Sequence, residues 1–469
     1  MLRRRVPTRS VRALALALAL SLAPACGGGE RDGPPNVVLC VVDTLRADHT
    51  TLLEHHNDTT PELARFARGG AVFERAWSSC SWTLPSMSML MTGRVRSDNG
   101  RDLPREHVPL AVRLTEEGYA TYGITSNALL RPQRGWARGF EEYDVYEPED
   151  DGRRARGWVG DEVVDRALAL LDDHPSNVPF FLFCLLFDPH DPYTPVDGPR
   201  FDPQRSVERF DRFGSAVREE QRHTWTEEAY NGIEARIASY DAEVWQADRA
   251  LGRLFDELED RGVLDETLVV VTSDHGEGLW TRPRPFGEEK NEMDFYGPLY
   301  MQHGLGLETE QVHVPLVVRG PGVPAGRVAE RDVGLIDVVP TLARLLDLDL
   351  EGELDGLDLF EVDDETARAR TIPGFTSRGG SLLYEGRYRL HLPSASRVER
   401  FDAQPRLYDL VDDPGERAPL DDADLVARLS GLFDAWKERG RIAESSDGTS
   451  ADERAILDAL GYTSGEAGD

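Results

Sequence analysis

The sequence predicts an α/β protein: a large, mostly parallel sheet flanked by helices, followed by a small C-terminal subdomain of antiparallel sheet plus helix. Three apolar runs carry the first part, with NVVLCVV ending at Asp43, FFLFCLLF at Asp188 and TLVVVTS at Asp274. Each is short and apolar through its middle on both faces, the pattern of a fully buried strand. Helical patterns separate them: DEVVDRALALLDD (161–173) and ASYDAEVWQADRALGRLFDELEDRG (238–262), the latter closing on Gly262.

The chain has 469 residues, 40% of them hydrophobic, which is enough for one large domain with its own core and a smaller appendage. Along the chain, residues 1–26 read as an export signal. Arg3, Arg4, Arg5, Arg9 and Arg12 precede the apolar ALALALALSLAPA, which stops at Cys26 before GGGERDGPP. The run is shorter than the roughly 20 apolar residues that span a bilayer. A cysteine directly after small residues makes Cys26 a lipidation candidate, so the expected product is a periplasmic or cell-surface lipoprotein of a bacterium, touching the membrane only through that anchor.

Residues 27–35 read as a linker, 36–365 as the catalytic domain and 366–469 as the C-terminal subdomain. A further strand, VPLVVRG (314–320), ends in a Gly-Pro-Gly turn. Past residue 366 come strand-like SLLYEGRYRLHL and RLYDLVDDPGE, the helix DADLVARLSGLFDAWKERG and a last short helix ADERAILDALGY. The polar, aromatic stretch from Glu277 to Gln302 reads as a loop near the site.

Removing residues 1–25 takes away five arginines and no acids, moving the formal charge from −32 to −37. So acidic a surface repels nucleic acid and heavily sulfated or phosphorylated polymers, and nucleic acid is excluded as a partner. Cysteines number four, with Cys40 and Cys184 inside apolar runs, so neither a disulfide framework nor a zinc spacing is present.

In open parallel sheets the ligand site lies beyond the carboxyl ends of the strands. Here that edge collects Asp43, Asp188 and Asp274, which together point to a cation. Thr83, in WTLPSMSMLMTGR, is expected to N-cap a helix with Pro85 in its first turn, and so to face an anion at the helix's positive end. Asp43, Asp274, His275 and the Thr83 oxygen would make a four-ligand, oxygen-rich set suited to Mn, Mg or Zn. A cation there lowers the pKa of a neighbouring hydroxyl, so Thr83 could attack at neutral pH.

These pieces, with DPHDPYTP, VVVTSDHGEG, HGLGLETEQVHVPLVVRGPG, LIDVVPTLARLL and the closing LGY, resemble the sulfatase family of the alkaline phosphatase superfamily in order and spacing over nearly the whole mature chain. The resemblance implies an alkaline-phosphatase-like α/β domain, a smaller C-terminal sheet, one divalent metal (Mn, Mg, Ca or Zn) and a nucleophile at the head of a helix. The family signature, Cys or Ser, any residue, Pro, Ser, Arg, aligns Thr83 with the residue that sulfatases oxidise to formylglycine. Cys80 lies three residues out of register.

Met87 stands where the signature has arginine, and Ser126 or Asn127 where sulfatases carry lysine; the chain's two lysines, Lys290 and Lys437, are at no family position. Thr44 replaces a second ligating Asp. His190 and His303 match positions that contact the ester and its leaving group; with Asp188 and Asn127 they are the substrate-binding candidates, and Asp188, His190 and His303 could hold a second metal. The leading expectation is therefore a hydrolase or transferase of phosphoesters, phosphodiesters or phosphonate esters, acting on a small-molecule, lipid or saccharide ester through Thr83. The alternatives are a sulfuric ester hydrolase and a non-catalytic, metal-containing surface lipoprotein.

Overall fold

A computed structural model describes residues 33–442 except 54, 99, 149–156, 203–226, 284–298, 301, 351–353 and 363. The export signal, Cys26 and the helix expected at 451–462 lie outside the described residues. Among those described, no helix is long and apolar enough to cross a membrane.

The main sheet has nine strands. β1 (Asn36–Val42), β2 (Ala71–Trp77), β3 (Ala120–Thr125), β4 (Glu142–Val145), β5 (Phe180–Leu186) and β6 (Thr267–Thr272) are followed, after the two-stranded ribbon β7 (Arg282–Pro283) and β8 (Leu299–Tyr300), by β9 (His313–Val314), β10 (Leu316–Arg319) and β11 (Arg327–Gly334). Their order is β11-β2-β10-β6-β1-β5-β3-β4, with β9 also on β2. β1 pairs in parallel with β5 and β6 on either side, so the three apolar runs are the centre of the sheet.

Alternate residues of β1 enter different cores, which is what burial on both faces demands. Val37, Leu39 and Val41 pack with α2 (Thr83–Thr92), α3 (Leu110–Glu116) and the helix Val338–Leu345, while Val38, Cys40 and Val42 pack with α1 (Pro61–Ala67), α4 (Gly160–Asp172) and α5 (Glu227–Asp260).

VPLVVRG forms a strand as expected, and β10 runs antiparallel to both β6 and β2. One expectation needs correction. Thr83 is the first residue of α2, and Trp82, in extended conformation, occupies the N-cap. The displacement is one residue, within the usual ambiguity of helix ends, and it still leaves Thr83 at the positive end of α2.

The C-terminal region forms a four-stranded antiparallel sheet, β12 (Thr371–Thr376), β13 (Gly379–Tyr384), β14 (Tyr388–Pro393) and β15 (Arg406–Asp409), with the helix Ala423–Arg439 against it. It packs directly behind the site. Leu382, Leu390, Leu429 and Phe433 share one apolar cluster with Cys80, Met89 and Ile336.

Candidate active site

Parallel pairing of β1 with β6 brings Asp43 and Asp274 level at the strand ends, while Asp188 lies one residue further along β5; the Asp43 amide donates to the Leu186 carbonyl at 2.9 Å. Asp43, Asp274 and His275 present ligand atoms within 4.8 Å of one another, all buried. α2 brings Thr83 to this group. Its Oγ1 lies 3.3 Å from Nε2 of His275 and 3.5 Å from Nδ2 of Asn127. Ser86, one turn along the helix, donates to the Asp274 carbonyl at 2.5 Å and so fixes the helix to the end of β6.

Asn127 is oriented from behind, its Oδ1 accepting the Leu129 amide at 3.0 Å, so that Nδ2 donates to Asp43 Oδ2 at 2.7 Å. His275 is oriented likewise. Its Nδ1 faces the Gly276 carbonyl at 2.9 Å, which assigns the proton to Nδ1 and leaves a lone pair on Nε2. That lone pair faces Asp274 Oδ2 at 3.2 Å and the Thr83 oxygen.

The centre therefore gathers acceptors. Asp43 Oδ1 and Asp274 Oδ2 are buried without a hydrogen-bond partner among the described residues. Burial, reinforced by the Asp274 charge, raises the Asp43 carboxyl well above the usual carboxylate range, although Asn127 opposes it. Burial likewise pushes the His275 imidazole down to about 4, against the pull of Asp274, so it stays neutral and ligand-competent. Two carboxylates and an imidazole lone pair converging in a dry site repel one another; a divalent cation between them would remove that cost. The residues thus fit one such ion, with Asp43, Asp274 and His275 as its holders and Thr83 beside it.

His303 and His190 form the other wall. The His303 ring lies 4.5 Å from that of His275 and 5.0 Å from that of His190, which stacks at 4.4 Å on Phe187. His190 Nδ1 faces the Asp191 carbonyl at 2.7 Å. Asp188 takes a different part: its Oδ2 accepts the Gly160 amide at 2.7 Å, at the start of α4. Asp188, His190 and His303 do not form a metal-reach group among the described residues, so the expected second metal finds no support there.

Met87, where the family signature has arginine, is fully buried in the apolar core under α2. Cys80 is fully buried as well, and burial raises its thiol to about 12, which keeps it protonated and unreactive.

Several contributors escaped sequence reasoning. Glu277, three residues after Asp274, is fully buried and puts both carboxylate oxygens 3.2 Å from His303 Nδ1. Its place in SDHGEG was the signal that could have marked it. A second buried cluster lies nearby, where Asp241 accepts from His49 Nδ1 at 2.6 Å, Asn57 Nδ2 at 2.7 Å and His55 Nε2 at 3.1 Å. Burial pushes Asp241 up, but His55 and His49 outweigh it and hold its carboxyl far below the ordinary range. Although these groups too are within metal-ligating reach, three donors already fill the carboxylate, so the cluster reads as a tie between α5 and the segment after β1. Tyr240, next to Asp241, strengthens that tie by donating to the Thr44 carbonyl at 2.8 Å and accepting from the Arg46 amide at 3.0 Å.

The carboxyl-edge site, the central β5-β1-β6 order and Thr83 at a helix N-terminus are the arrangement that the resemblance to the alkaline phosphatase superfamily implies. The chain belongs to the sulfatase family, whose profile, described as Sulfatase, matches residues 35–348. It is 27% identical to human arylsulfatase A over 87% of this chain and 86% of that protein. It is 24% identical to the multifunctional alkaline phosphatase superfamily protein PehA of Trinickia caryophylli, over 69% of this chain and 76% of that one. Among solved structures it resembles the phosphonate monoester hydrolase of Agrobacterium radiobacter, with a TM-score of 0.64 and 21% identity, over 87% of this chain and 96% of that one.

Proposed function

We propose that this sulfatase-family hydrolase acts on phosphoesters, phosphodiesters or phosphonate esters, with Thr83 as nucleophile. The observation that carries the reading is the placement of the Thr83 hydroxyl against His275 and Asn127, above the unsatisfied oxygens of Asp43 and Asp274, while Cys80 is sealed in the core behind. A threonine cannot become the aldehyde that sulfatases use, and Met87 and Asn127 stand where sulfate-binding cations would be. A divalent ion held by Asp43, Asp274 and His275 supplies charge neutralisation and lowers the pKa of the adjoining hydroxyl.

Thr83, having lost its hydroxyl proton to solvent, attacks phosphorus in line, so that the Oγ1–P bond forms as the bond to the leaving oxygen breaks. Asn127 Nδ2 steadies charge beside the attacking oxygen. One of His190 and His303 donates a proton to the leaving oxygen. Water, or an acceptor alcohol, then attacks the phospho-threonine, returns a proton to that imidazole and frees Thr83.

A sulfuric ester hydrolase is the second reading, favoured by the relative named arylsulfatase A. A panel of phosphomonoester, phosphodiester, phosphonate and aryl sulfate substrates, assayed with the parent and Thr83→Ala proteins, separates them. Phosphodiester or phosphonate turnover above sulfate turnover, lost in Thr83→Ala, is expected; dominant sulfate turnover overturns the assignment. The substrate is a small-molecule, lipid or saccharide ester. Export and lipidation at Cys26 complete the proposal, and a membrane-fraction protein that becomes soluble on Cys26→Ala is the corresponding test.

A further inference from the structure

We infer that Glu277 is the positioning residue that turns His303, rather than His190, into the proton donor for the leaving group. The inference rests on the ester hydrolysis proposed above and adds which imidazole does the acid work and what aims it. Glu277 is fully buried, and a carboxylate without solvent is costly unless it is given strong partners. One of the partners it is given is an active-site ring: both of its oxygens lie 3.2 Å from His303 Nδ1. A ring nitrogen bonded on that side points Nε2 away from Glu277 and fixes the ring plane, as carboxylates do for imidazoles in many sites. At His190 the Nδ1 faces a backbone carbonyl, that of Asp191, at 2.7 Å. A single carbonyl oxygen holds a ring at one point, whereas both oxygens of Glu277 converge on His303 Nδ1 and fix the direction in which Nε2 faces.

The backbone around Glu277 is over-determined. Gly276 passes so close to the Glu310 carbonyl that a Cβ there would sit 2.1 Å from its oxygen, and only glycine fits. Arg46 Nη1 donates to the Glu277 carbonyl at 3.1 Å, and the Gly278 amide to Glu277 Oε1 at 3.0 Å. Two residues further on, Leu279 and Trp280 are both buried with φ of 45° and 57°. Consecutive non-glycine residues in the left-handed region cost on the order of 1–3 kcal/mol each and persist only where the surroundings hold them. That strained turn holds Glu277 against His303, and the hydroxyl of Thr281 closes it by donating to the Gly278 carbonyl at 2.7 Å.

The leaving-group oxygen gains the proton that His303 loses from Nε2 as the P–O bond breaks, while Glu277 keeps its hydrogen bond to Nδ1 throughout. The need for that proton grows with the basicity of the leaving group, so the test is a series of diesters from 4-nitrophenyl to alkyl, assayed with metal-loaded protein. Glu277→Ala and His303→Ala should each lose about 10- to 100-fold in kcat/KM on alkyl esters and much less on the 4-nitrophenyl ester, steepening the dependence on leaving-group pKa. Glu277→Gln, which keeps one acceptor oxygen at Nδ1, should recover part of the loss. Unchanged metal content and melting temperature in Glu277→Gln would show that its defect is not misfolding. If His303→Ala does not steepen the series, His303 is not the acid and the inference fails while the hydrolysis stands; full phosphoester turnover in Thr83→Ala would instead overturn the reading beneath it. If His303→Ala steepens it but both Glu277 variants lose activity equally on all esters, the role given to Glu277 is wrong.

Discussion

Oγ1 of Thr83 lies 3.3 Å from Nε2 of His275, across the gap between the first turn of α2 and the end of β6. The contact joins residues 192 positions apart, and it depends on a hydroxyl at position 83. Thr83→Ser keeps that oxygen and should retain turnover within about 10-fold, whereas Thr83→Ala should lose on the order of 10³-fold or more in kcat, as nucleophile deletions do. Steady-state rates of the two variants on the best ester of the panel check this.

Cys80 is out of the chemistry on this account. Buried with Met89, Leu429 and Phe433, its thiol stays protonated at neutral pH. Native protein should not react with a maleimide at Cys80 at pH 7.5, and Cys80→Ala should keep kcat/KM while lowering the unfolding free energy by about 1–2 kcal/mol through the small cavity left behind. Peptide mapping after alkylation, with and without denaturant, and denaturant titration read the two effects.

Removing the metal should abolish turnover, and adding Mn, Zn, Mg or Ca in turn should restore it to different extents. Because Asp43 and Asp274 repel each other when nothing lies between them, the cation should also stabilise the fold, by about 2.7 kcal/mol at a free concentration 100 times its Kd. Asn127→Ala removes the hydrogen bond to Asp43 Oδ2 and should weaken metal binding about 10- to 100-fold. Calorimetric titration of the stripped proteins measures both quantities.

Acid stability has a separate source at His107, away from the catalytic centre. Its imidazole is pushed down to about 4 by burial, with the Arg94 guanidinium adding to the effect, and its Nδ1 is buried without a partner among the described residues. Between the ordinary value of 6.5 and about 4, the unfolded chain takes up a proton that the native ring refuses, so this contribution is present above pH 6.5 and lost as the pH falls. His107→Leu should flatten that acid limb, with a difference from the parent growing to at most about 3 kcal/mol near pH 4. Urea titrations from pH 7 to pH 4 provide the comparison.

The centre of the fold was legible because β1, β5 and β6 are apolar through their middles and lead to Asp43, Asp188 and Asp274, so both burial and the functional edge are written locally. β2, with Glu74 and Arg75 in its middle, carries a mixed pattern and was not recognised as a strand. The direction of β10 could not be read, since a short apolar run looks the same in either sense. At the site, motif spacing singled out Asp43, Thr83, Asp274 and His275, and the structure brings these four together. Asp188 was not distinguishable from a ligand, because the helix start at Gly160 that occupies it lies 28 residues away. Glu277 facing His303 and Asp241 facing His49 and His55 are long-range pairs that only the packing of loops and of α5 brings together.

The central claim is that Thr83 becomes covalently bonded to phosphorus during turnover. Rapid acid quench of metal-loaded protein with a slow phosphonate or phosphodiester substrate, followed by mass spectrometry of the peptide containing Thr83, tests it most directly. The account predicts a phosphoryl or phosphonyl adduct on Thr83 that forms and decays at rates consistent with kcat and is missing in Thr83→Ala. Full turnover with Thr83 unmodified at every quench time would contradict it.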